Sequence, residues 1–179
     1  MKTSYYANLK NIDKAKFTPI AISGDCGKLV GFEGVALREL SPYPFFKKWK
    51  TIDDKIDDMY DAGEISLNEY CDYKNLNQNS YIKQFYQKVL KKLDPHEVYS
   101  KLGDDAVLLC FEKPTSFCHR FLVAGWLEYS LNIEVNELGY ENDKQVQDNR
   151  AKLKSKIINE IEKDRMSNNI KGVENGKEK

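Results

Sequence analysis

No stretch of this sequence approaches the roughly 18 consecutive apolar residues that a membrane-crossing helix needs. The opening residues Met1-Lys-Thr-Ser-Tyr-Tyr6 also lack the apolar segment of a secretory leader. Net charge is missing too, because 28 basic side chains balance 28 acidic ones. Domains that coat nucleic acid carry a basic excess, so that partner class is disfavoured. The four cysteines, Cys26, Cys71, Cys110 and Cys118, include no Cys-x-x-Cys pair. Neither a disulfide framework nor a zinc ribbon is therefore expected. These absences predict a cytoplasmic protein with free thiols, no membrane attachment, no metal and no cofactor.

What is present is an ordinary globular composition, 41% hydrophobic and 31% charged, on a chain long enough for one core and an appendage. Residues 3–7 and 17–23 are rich in strand formers, and Pro19 is tolerable near the start of the second strand. Residues 25–44 hold glycines and prolines without a period. They predict a long loop that supplies a second wall of a site. Phe45, Trp49, Ile52, Ile56 and Tyr60 recur at helical spacing, which places the aspartates of 53–58 on a solvated face. Ser66-Leu-Asn-Glu69 is a capping box opening a second helix, with a break expected at 75–80. Asp94-Pro-His-Glu97 starts a third.

Residues 106–111 are apolar on both faces, as in the centre of a parallel sheet, and a helix over 117–131 with Ser116 as N-cap follows. Residues 133–138 alternate like a last strand. Strands alternating with helices predict an α/β layered, Rossmann-like domain over 1–139, with a small parallel or mixed sheet flanked by helices. A charged helical extension over 140–166 would pack weakly on the domain or on a second copy, giving a monomer or a homodimer. Residues 167–179 read as a disordered tail.

The chemistry concentrates where the apolar strand runs into Glu112-Lys113-Pro-Thr-Ser116 and then Cys118-His119-Arg120. In open α/β sheets ligands bind at the carboxyl ends of strands, beside helix N-termini. There Cys118 would feel unpaired N–H groups and the positive end of the helix dipole, with Arg120 and Lys113 adding positive field. Two functional readings follow. Either the turn is catalytic, with Cys118 as nucleophile or Glu112 doing the chemistry; or it is an anion cradle gripped by Arg120, with His119, Lys113 and Ser116 beside it. Tyr5 or Tyr6 from the first strand and Ser23 from the second could reach the same rim. The plain alternatives are a buried cysteine acting as a small hydrophobe, an orienting histidine, and an arginine paired with a carboxylate.

The segments Leu108-Leu-Cys-Phe-Glu-Lys-Pro114 and Phe117-Cys-His-Arg120 resemble the signature of a bacterial and phage family, the domain of unknown function numbered four hundred and eighty-eight. Residues 3–9 and 66–70 fit the same pattern. The resemblance implies a compact α/β domain with Cys118, His119 and Arg120 at its site and Glu112 as a neighbour. It names no reaction. The functional expectation is thus a protein that binds a phosphate-bearing small molecule, a nucleotide or modified nucleoside, at this turn, with cysteine- or carboxylate-assisted catalysis. The competing expectation is a non-catalytic ligand- or protein-binding module.

Overall fold

Ala106-Val-Leu-Leu-Cys110 has no polar side to turn to solvent, and all five residues are buried. Only a strand with neighbours on both edges and cover on both faces satisfies such a run. The computed structural model describes residues 1–43 and 45–175, with side chains as far as 168. Its strands are β1 (Lys2–Tyr5), β2 (Thr18–Ala21), β3 (Val35–Ala36), β4 (Ala106–Cys110) and β5 (Asn136–Glu137). They form one sheet in the order β3-β2-β4-β1-β5, parallel at every pairing. The helices are α1 (Phe46–Asp61), α2 (Leu67–Lys88), α3 (Pro95–Leu102), α4 (His119–Leu131) and α5 (Lys144–Asn175). The expected α/β layered class is observed, with an all-parallel sheet and a C-terminal helix.

Pro19 lies inside the sheet without costing a ladder bond. The N–H groups of Thr18 and Ile22 donate to Asp105 and Leu109 on the β4 side. The Pro19 nitrogen therefore faces the other edge, where β3 reaches only Ile20 and Ala21. The long loop also departs from expectation, since it contributes β3; Pro44 at its end lies outside the described residues.

The helices correct several expectations. In α1 the buried residues are Trp49, Asp53 and Ile56, while Ile52 is exposed. Asp53 tolerates burial because Lys74 reaches it at 2.8 Å and the Asn77 amide donates to it at 3.1 Å. The same Asn77 accepts from the Trp49 indole through its carbonyl. These tertiary bonds fall inside the predicted break at 75–80, and α2 runs through it unbroken from its Ser66–Glu69 capping box. The N-cap of α4 is Cys118, not Ser116, which is exposed and lies before the helix.

α5 is no weakly attached extension. Leu153, Ile157 and Ile161 belong to the same core cluster as Phe85, Leu122 and Trp126. The apolar stripe, expected to pack weakly on the domain or on a second copy, is buried against α4 and α2 of its own chain. α5 continues to Asn175, through most of the stretch expected to be disordered; residues 176–179 lie outside the described residues. Among the described residues no helix is long and apolar enough to cross a membrane.

Candidate functional site

β2 and β4 lie side by side, and the chain leaving each carries polar atoms to the carboxyl edge of the sheet. From β2 come Ile22 and Ser23; from β4 come Cys110 and, after a sharp bend, Glu112. The first turn of α4 brings Cys118 and His119 to the same point. The result is a compact cluster. Cys110 Sγ donates to Glu112 Oε2 at 3.2 Å, and Cys118 Sγ lies within hydrogen-bond distance of the same oxygen, at 3.1 Å. The His119 ring presents Nδ1 to Cys110 Sγ at 3.5 Å, and its Nε2–H donates to the Ile22 carbonyl at 3.0 Å. The Phe85 ring packs against its other side.

Burial sets the electrostatics. Glu112 is pushed up to about 7, first by burial and then by the Cys118 sulfur beside it. Burial also raises Cys110 well above the ordinary thiol range, with Cys118 adding to the effect. For Cys118 burial opposes ionisation, but the Cys110 thiol, the Arg120 guanidinium and His119 together outweigh it and hold the thiol low. Burial disfavours the imidazolium of His119 too; Cys118 and the Ile22 carbonyl reverse that and raise it.

A cleft of about 400 Å³ opens above this cluster, within the size range of small-molecule sites. Cys110, Glu112 and His119 are part of its lining, with Ser23 beside them. Tyr43, Phe46, Phe111 and Leu29 stand around it, all exposed, and Lys47 sits at its edge. The loop expected to form a second wall does so: Asp25, Leu29, Ser41 and Tyr43 come from it. Asp25 holds its near end, accepting from the N–H groups of Gly27 and Leu29 and from the Ser23 hydroxyl. A further cavity of about 30 Å³ borders Cys118, between Trp49, Tyr81 and Phe117.

The expected site residues divide. Cys118, His119, Glu112 and Ser23 converge at the cluster or the cleft. Arg120 does not face a ligand: it is wholly buried, with Nη2 3.1 Å from Glu137 Oε1 and Nε 3.3 Å from Oε2. Its remaining nitrogen, Nη1, donates to the Glu112 carbonyl at 2.8 Å, so Arg120 shapes the site through that loop and through its charge near Cys118. Tyr5 turns the other way and shares a hydrogen bond with Tyr140. Its neighbour Tyr6 is the tyrosine that reaches Ser23, at 2.7 Å. Lys113 and Ser116 are exposed and, among the described residues, neither lines the cleft.

Cys110 was not among the expected site residues. The signal for it was its place at the carboxyl end of the apolar strand, two residues before Glu112. Lys47, Phe46 and Tyr43 left no comparable trace, since they reach the cleft from a helix and a loop remote in sequence. Set against family models, curated proteins and solved structures, the chain finds no match in any of the three comparisons.

Proposed function

We propose that this protein takes a phosphate-bearing small molecule of the nucleotide or nucleoside class into the cleft beyond β2 and β4 and acts on it with Glu112. The observation that carries this reading is one cleft combining exposed apolar walls with a floor of reactive groups. Exposed large apolar side chains gathered around a concavity mark a binding site rather than ordinary surface. Leu29, Tyr43, Phe46 and Phe111 suit the faces of a planar ring system. Lys47 at the edge supplies the cation for an anionic tail, in place of the buried Arg120. Ser23 and Glu112 offer hydrogen bonds to the polar edge of the ring, with Glu112 as the group for proton transfer. Membership of the Cys-His-Arg family belongs to the same proposal and rests on residues 108–114 and 117–120.

A thermal-shift screen against nucleotides, nucleosides, sugar phosphates and inorganic anions tests this. Ligand present at a hundred times its Kd adds about 2.7 kcal/mol of stability, an easily read shift. The hit is expected to weaken in Lys47→Ala and in Phe46→Ala. A hit that ignores both variants moves the site elsewhere and sinks the reading. Glu112→Gln separates an enzyme from a binding module, because an enzyme keeps its ligand but loses turnover.

A further inference from the structure

One sulfur from Cys110, one from Cys118 and a ring nitrogen of His119 lie within 4.8 Å of one another, all on buried side chains. We propose that these three side chains bind a single Zn²⁺ ion, with a water in the fourth position next to the Glu112 carboxylate. The three-ligand site stands on its own geometry; the role of the fourth position rests on the cleft reading above.

The donor spacing fits. Tetrahedral zinc with bonds near 2.3 Å to sulfur and 2.0–2.1 Å to nitrogen places its ligand atoms about 3.5–3.8 Å apart. Cys110 Sγ and His119 Nδ1 are already at 3.5 Å. Closing the cluster on an ion asks only for small side-chain rotations, and Zn²⁺ displaces the two thiol protons to solvent.

His119 is oriented as a metal ligand. Histidines that ligate through one nitrogen regularly donate the other N–H to a carboxylate or a backbone carbonyl, which fixes the tautomer. Here the Ile22 carbonyl takes Nε2–H, and Nδ1 is turned towards the thiols. The supports are rigid, since Cys110 ends the central strand while Cys118 and His119 open α4.

The donor set also selects the metal. Two thiolates and an imidazole suit Zn²⁺ and exclude the hard, oxygen-seeking Mg²⁺ and Ca²⁺. Three protein ligands, two of them lining a cleft, match the open pattern of catalytic zinc, whereas structural sites close all four positions. Cys110 and His119 both line the cleft, which gives the ion its way in.

The test is titration of the reduced, chelator-treated full chain with Co²⁺, read by absorption. One equivalent is expected to give the intense visible bands of tetrahedral cobalt with thiolate-to-metal charge transfer, and one equivalent of Zn²⁺ should abolish them. Cys110→Ser and Cys118→Ser should each lose about half of the charge-transfer intensity, one of the two thiolates being gone, and bind roughly tenfold or more weakly. His119→Asn should lose the tetrahedral bands, while Cys26→Ser and Cys71→Ser should change nothing. The weak spectrum of hydrated cobalt on the wild-type chain, undiminished thiolate bands in either single cysteine variant, or thiolate bands that persist in the Cys110→Ser, Cys118→Ser double variant, would overturn the proposal. The wild-type spectrum decides the matter even where a variant fails to fold. A small-molecule hit on metal-free protein that shows no cobalt bands would refute the zinc site and keep the cleft. Cobalt bands without any cleft-dependent ligand would do the reverse.

Discussion

Arg120 is fully buried, and the partner of its charge, Glu137, is equally buried and also accepts from the Thr3 hydroxyl. Breaking one side of such a pair leaves an uncompensated charge in a dry interior. Arg120→Met is therefore expected to lower unfolding free energy by about 3–5 kcal/mol in denaturant titrations. The double variant Arg120→Met, Glu137→Met should recover much of that loss, because no lone charge remains. A double variant no more stable than the single one would deny the ion pair this role. That Arg120 would matter was legible from the Cys-His-Arg triplet. Its partner was not, because Glu137 is far along the chain in a strand of two residues. Cys118 and His119 were legible for the opposite reason: their position at a strand-to-helix junction follows from local pattern alone. The thiol partner of His119, Cys110, came from across that junction.

Helix α4 is packed so closely on α5 that Gly125 becomes a contact point. A Cβ added there would lie 3.0 Å from the Lys154 Cα and 3.1 Å from a methyl of Ile157. In an isolated helix Gly→Ala gains up to about 1 kcal/mol. At this crossing the backbone of α5 has to give way, and overpacking costs about 1–3 kcal/mol. Gly125→Ala is thus expected to lower the melting temperature, and a rise would show that the helices can separate without penalty. Element types were largely readable because apolar periodicity is local. Boundaries were less so where tertiary bonds decided them. Asn77 would weaken a helix on propensity alone, yet its bonds to Trp49 and Asp53 carry α2 straight through. At the start of α4 the helix begins at His119, after the loop has bent to place Glu112 against the two sulfurs.

The core spans the chain from end to end, with Ile20 and Ile22 near one terminus and Ile157 and Ile161 near the other. Deleting everything after Asp143 would strip Val146, Leu153, Ile157 and Ile161 from their buried positions and expose the outer face of α4. Each such large apolar side chain contributes about 1.5–3 kcal/mol on burial, and whole domains are stable by only about 5–15 kcal/mol. The truncated chain is expected to lose its cooperative melt by circular dichroism. A sharp transition within a few degrees of the full chain would show that α5 is dispensable.

Local chemistry was enough to place strands and helices in α/β alternation and to point at the junction holding Glu112, Cys118 and His119. Both follow from the pattern of neighbours along the chain, which side-chain periodicity and capping encode directly. Packing at long range assigned everything else. It turned Arg120 inward to Glu137, set the His119 ring on the Ile22 carbonyl, and raised the walls of the cleft from α1 and the loop after β2. Those outcomes depend on which surfaces meet once the apolar faces are buried, and that is settled between elements distant in sequence.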